Sequence, residues 1–119
     1  MPLPDEEIIQ NYYSLDPKQY PILISFNITQ ELSLWGEQPK LSIEMEFKSK
    51  NENNANVLKL KCRGVRNLIL KQPTWSVFEI PWIEISSIRA RQWENLNYYI
   101  NDPEEESISF MCAEFEAAV

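Results

Sequence analysis

Apolar and polar residues alternate in several short runs along the chain. The clearest is VLKLKCRGVRNLIL, Val57 to Leu70, where Leu58, Leu60 and Cys62 fall on one side and Lys59, Lys61 and Arg63 on the other. A period of two is what a strand with one buried face requires. Gly64 interrupts the alternation, and Val65, Leu68 and Leu70 resume it in a shifted phase. Glycine inside a strand pattern marks a bulge or a bend. The stretch therefore reads as one long bent strand, or as two short strands joined at Gly64 to Asn67.

Shorter runs surround it. Ile22, Ile24, Phe26 and Ile28 alternate with Leu23, Ser25, Asn27 and Thr29, and Pro21 stands at the strand's start, where a missing N–H is tolerated. Leu32, Leu34 and Trp35 extend this strand or begin another, before a turn at Gly36-Glu37-Gln38-Pro39. Leu41, Ile43, Met45 and Phe47 form the apolar side of a further strand. The asparagine-rich segment SKNENNAN, Ser49 to Asn56, reads as a mobile hairpin loop. With both apolar faces on one side, that hairpin sets Glu46 opposite Lys59 and Glu44 opposite Lys61. Such pairs contribute about 0.2–1 kcal/mol each and fix register. Trp82, Ile83, Ile85 and Ile88 suggest another strand, although the step from Ile85 to Ile88 breaks the period. In a final hairpin Leu96, Tyr98 and Ile100 face Ile108, Phe110 and Cys112 across Asn101-Asp102-Pro103-Glu104. Phe115 continues the last strand, and Ala117 to Val119 are expected to fray. At the other end, Asp5, Glu6 and Glu7 before Ile8, Ile9, Tyr12 and Tyr13 predict a short helix with its acids near the positive end, stopped by Pro17. The alternative for residues 1–19 is an extended arm on the sheet. The whole chain, 1–119, is thus expected to be one all-β domain with its β core over 20–117. Its architecture is an antiparallel sandwich or partly open barrel of about seven to eight strands.

Composition narrows the function. Hydrophobic residues make up 44% of the chain, enough for a core, and five Phe, five Tyr and four Trp favour strands. No run approaches the ~20 apolar residues that span a bilayer. The N-terminus places acids rather than bases before its apolar pair, unlike a secretory signal, so a cytoplasmic location is expected. With 18 acidic and 11 basic residues the net charge is −7. A nucleic-acid binder carries a basic footprint, which this balance lacks; the acidic balance fits a soluble protein, or one whose partner is basic. Histidine is absent, which removes the commonest general base and metal ligand together. Two glycines leave little scope for a phosphate-cradling loop, and two cysteines are too few for a disulfide scaffold. Cys62 and Cys112 fall on inward positions and read as buried, reduced thiols.

No cofactor or metal site is expected. Paired carboxylates such as Glu79 and Glu84 suffice for glycoside hydrolysis, but acids scattered on strands are ordinarily solvated. The run DPEEE, Asp102 to Glu106, offers oxygens to a hard cation, yet lacks the glycine and the ligand spacing of a calcium loop, so a charged turn is the simpler reading. Tryptophan at a surface is a common binding hot spot, while in a small β domain it more simply fills the core. The best surface candidate is the loop holding Trp75, Phe78 and Glu79, which its prolines would stiffen. Arg89 and Arg91 beside Trp93 form a second candidate patch, alternatively an exposed turn with local ion pairs.

The succession VLKLKCRGVRNLIL, WIEISSI, NYYIND and ISFMCAEFEA resembles a family of small β-rich immunity proteins of bacterial polymorphic toxin systems. The resemblance runs from Leu41 to Ala117, with Ile22 to Ile28 as a further part, around a core of Gly64, Val65, Asn67 and Leu68; the segment through Tyr20 lies outside it. It implies a non-enzymatic binder that occludes a cognate toxin. Toxins that cut nucleic acid are commonly basic, and the acidic balance would speed association with one. A different class of function is a β-barrel with an aromatic pocket for a small molecule, for which an enclosed cavity would be the sign.

Overall fold

The computed structural model describes residues 4–31, 40–71, 82–88, 96–103 and 106–119. The elements are helix α1 (Pro4–Ser14), a 3-10 turn (Pro17–Gln19), and strands β1 (Ile22–Glu31), β2 (Lys40–Lys48), β3 (Val57–Arg63), β4 (Arg66–Leu70), β5 (Glu84–Ser87), β6 (Tyr98–Asn101), β7 (Ile108–Cys112) and β8 (Glu114–Ala118). Among the described residues they form two four-stranded sheets, β1-β2-β3-β8 and β4-β7-β6-β5, with every pair antiparallel. The sheets do not close into a barrel. They enclose a core to which the first gives Ile43, Met45, Leu60 and Cys62 and the second gives Ile85, Ile100, Phe110 and Cys112. The architecture is a sandwich.

The bend at Gly64 organises it. Arg63 lies opposite Glu114 in the first sheet, and Arg66 opposite Met111 in the second, so one register carries through the corner. β3–β4 is therefore a single bent strand paired with another, β7–β8, which bends at Ala113. Gly64 has φ 68, a left-handed value that a side chain resists. A Cβ there would also stand 2.9 Å from the Ala113 Cβ. Backbone bonds close the corner: the Ala113 N–H donates to the Arg63 carbonyl and the Val65 N–H to the Leu41 carbonyl, each at 2.9 Å. Beyond it the ladder bulges between Arg66 and Ile69, where Asn67 has φ 58.

The strongest alternations fold as read. Leu58, Leu60 and Cys62 are buried, and so are Ile43, Met45 and Phe47. Register in this hairpin sets Glu46 against Lys59 and Glu44 against Lys61. The 49–56 loop is stitched by its own side chains, with Ser49, Asn51 and Asn54 each accepting a backbone N–H two residues on. In the last hairpin Tyr98 faces Cys112 and Ile100 faces Phe110. Ile88, after the end of β5, is buried and donates its N–H to the Asn97 carbonyl, carrying the β5–β6 pairing one residue further.

Several expectations are corrected. β1 bulges between Leu23 and Ser25, so the inward residues become Leu23 and Phe26, and Ile24 is 49% exposed. Leu70 does not rejoin the core: β4 is a sheet edge, and Ile69 and Leu70 are both about half exposed. Ala117 and Ala118 do not fray but pair with Leu60 and Lys59. The N-terminal segment is a helix rather than an extended arm. Pro4 occupies its first position, where no N–H is needed. It ends in a left-handed turn at Asp16, φ 58, followed by buried Pro17. Tyr12, 1% exposed, docks it by donating from its hydroxyl to the Ile83 carbonyl at 2.6 Å. The Tyr13 hydroxyl donates to the Ile85 carbonyl at 3.1 Å and accepts from the Ile85 N–H at 3.0 Å. It thereby fills the bonding position that a strand beyond β5 would take.

Candidate partner-binding surface

Trp75, Phe78, Glu79, Arg89, Arg91 and Trp93 all lie outside the described residues, as does Trp35. The remaining tryptophan, Trp82, is partly buried. Its ring lies 6.3 Å from that of Tyr13, and the Lys18 ammonium sits 5.0 Å from its centroid. This contact ties the 3-10 turn to the segment leading into β5.

The outer face of the β1-β2-β3-β8 sheet is a charged surface built by strict alternation. Its rows run Glu44–Lys61–Glu116 and Ser42–Arg63–Glu114. The Lys61 ammonium is 3.3 Å from the Glu44 carboxylate, and the Arg63 guanidinium reaches Glu116 at 3.0 Å and Glu114 at 3.7 Å. Two of the three basic residues of β3 are thus paired with acids, Lys61 from β2 and Arg63 from β8. The β2 half of the pattern was readable from the hairpin. The β8 half was not, although Glu114-Phe115-Glu116 already shows the required alternation.

One acid of the turn after β6 is not solvated as the composition of the turn implies. Asp102 is fully buried. Its N–H donates to the Ile108 carbonyl and its own carbonyl accepts from the Glu106 N–H, both at 3.0 Å. The Glu106 carboxylate lies 4.0 Å from the Lys71 ammonium and is largely exposed. Among the described residues no group of three or more Cys, Asp or Glu converges on a point where a metal could sit.

Two thiols meet inside. Cys62 and Cys112 are free and wholly buried, one from each sheet. Burial, together with the neighbouring Cys112 thiol, pushes the Cys62 thiol well above its ordinary range, so it holds its proton and is a poor nucleophile. The aromatics Tyr12, Tyr20 and Phe47 line a crevice with Pro17, Leu58 and Ile83, but it has no interior room for a water molecule. The described surfaces thus offer polar and charged contact area to another macromolecule.

Comparison with known families resolves what kind of contact. The family described as Immunity protein PIM8 matches residues 5–118. The chain belongs to that family. The match takes in α1 and the 3-10 turn, so the N-terminal segment that lay outside the sequence resemblance is part of the immunity fold. No curated protein and no solved structure matches the chain. Family membership makes a cognate toxin the partner of this immunity chain, and immunity proteins of this kind are typically not enzymes.

Proposed function

We propose that this immunity chain is a single-domain, non-enzymatic inhibitor that binds and occludes a basic cognate toxin in the bacterial cytoplasm. The observation that carries the reading is the family match over 5–118. The charge distribution supports the toxin's basic character. On the outer sheet face the acids Glu44, Glu114 and Glu116 are already occupied by Lys61 and Arg63. The excess behind the net charge of −7 therefore lies elsewhere, in part at exposed Glu6 and Glu7 of α1. Charge of one sign placed away from a neutralised face favours a partner of opposite sign and raises the rate of encounter. The loop of Trp75, Phe78 and Glu79 and the patch of Arg89, Arg91 and Trp93 supply the remaining anchors in this reading, aromatic and Arg side chains being the usual hot spots.

The test is titration of the purified chain into the cognate toxin, with toxin activity and calorimetric binding read at low and at high salt. Stoichiometric loss of toxin activity, with association slowed by salt, is the expected result. Toxin activity that persists at molar excess of the chain overturns the proposal.

A further inference from the structure

Among the described residues four strands lie at sheet edges: β1 and β8 in one sheet, β4 and β5 in the other. An edge strand presents unpaired backbone groups and is ordinarily blunted against association. Three of these edges are. Tyr13 occupies both bonding groups of Ile85 on β5. β8 is five residues long and carries Glu114 and Glu116. β4 is equally short, starts with Arg66 and bulges at Asn67.

Between Ser25 and Gln30 β1 has none of these devices; its one charged residue, Glu31, stands at its end. It is the longest strand, ten residues, and Ile22 to Gln30 include no charged side chain. Its bulge lies at the start, between Leu23 and Ser25; from Ser25 to Glu31 its register with β2 is regular. Asn27, Ile28, Thr29 and Gln30 are all exposed, and consecutive residues point to opposite faces, so this half of the strand is open on both sides. Ile28 lies in the core-facing row, opposite wholly buried Ile43, yet is 48% exposed. The apolar row runs off the edge of the sheet with its last member uncovered.

We propose that Ser25–Glu31 is the seam at which two copies of this chain join, antiparallel and edge to edge, to make one continuous sheet. The segment complements itself. A two-fold axis at Ile28 sets that residue beside its twin, Phe26 beside Gln30 of the other copy, and Asn27 beside Thr29. Each of these pairs lies on one face, as an antiparallel ladder requires, and the Ile28 pair covers the uncovered end of both apolar rows. Such an isologous contact closes on itself and stops at two chains. Charge argues for a second copy over the toxin here: the uncharged run from Ser25 to Gln30 offers little to a basic partner and brings no like charges together, and about the axis Glu31 falls beside Ser25 of the other copy rather than beside its twin. The two associations also respond oppositely to salt. Screening weakens attraction to a basic toxin but relieves the repulsion between two chains of net charge −7.

Sedimentation equilibrium of the full chain, without toxin, tests this directly, so failure of toxin binding would leave its result untouched. The wild type should dimerise, more tightly at high salt. Ile28→Lys and Thr29→Lys, which place like charges on opposite faces near the axis, should each weaken the dimer by about tenfold or more. Ile69→Lys, an equally exposed isoleucine on β4, should leave it unchanged. Circular dichroism checks that each variant folds, and Thr29→Lys decides if Ile28→Lys does not. A wild type that stays monomeric up to about 1 mM, or a dimer that both β1 variants retain, overturns the proposal.

Discussion

Tyr12→Phe removes one oxygen from the joint between helix and sandwich and leaves the rest in place. The ring keeps its edge contacts with Tyr13 at 5.1 Å and Phe115 at 6.3 Å. What disappears is the 2.6 Å bond to the Ile83 carbonyl, made by a side chain only 1% exposed. A hydrogen bond contributes about 1 kcal/mol net, and a buried carbonyl stripped of its partner costs about 1–3 kcal/mol. Urea unfolding at neutral pH should therefore show a loss of about 2 kcal/mol. The same hydroxyl gives a second signature at high pH. Burial, with the Tyr13 phenol beside it, holds the Tyr12 phenol far above its ordinary value of 10.0. Above pH 10 the unfolded chain releases this proton and the folded chain keeps it. Unfolding then sheds protons, and stability falls with rising pH by up to about 1.4 kcal/mol per unit for this group. Tyr12→Phe lacks the term. The gap between wild type and variant should thus narrow as pH climbs above 10, while the shifts of Tyr13 and Cys62 act on both proteins alike. A neutral-pH loss below about 0.5 kcal/mol would mean that the bond does not hold the helix down. A gap that stays constant through alkaline pH would refute the linkage.

Other substitutions test the remaining joints. Gly64→Ala should destabilise by about 2 kcal/mol or more, from the left-handed backbone and the clash with Ala113 together; adding Ala113→Gly should restore only the steric part in a double-mutant cycle. Tyr13→Phe should speed amide exchange at Ile85 markedly and cost only about 0.5–1 kcal/mol, since water can reach this half-buried site. Arg63→Ala should lower stability by less than about 1 kcal/mol, because its ion pairs are solvent-exposed; a larger loss would show that the charged ladder is structural. Neither Cys62 nor Cys112 should react with a water-soluble thiol reagent in the folded chain, and both should react in denaturant.

What was legible in the sequence depended on how sharply each strand defined its own phase. Leu58 to Arg63 and Leu41 to Lys48 alternate without ambiguity, and their charges set the register that the hairpin adopts. Ile22-Leu23-Ile24 are three aliphatics in a row, so nothing local says which of them faces inward, and the bulge took Ile24 out. Leu70 failed for another reason: its alternation is real, but it stands on an edge strand with less to cover it. The tyrosine hydroxyls that dock α1 at Ile83 and on β5 act over 71 and 72 residues of sequence separation, beyond any periodic pattern. Asp102 hides in a run of acids whose composition suggests solvent throughout. The partner class was legible through the resemblance around Gly64, while the residues chosen as anchors, Trp75 through Trp93, fall outside the described part of the chain.

The bent ribbon also bears on how the chain reaches its native state. Its two strands come from distant stretches: Arg63 meets Glu116 across 53 residues and Asn67 meets Met111 across 44. Contacts of such separation close large loops before they return any energy, which raises contact order and slows folding. Because the ribbon belongs to both sheets, its pairing joins them. Substitutions at the Gly64–Ala113 corner should then slow refolding, while those in the 49–56 loop should mainly speed unfolding.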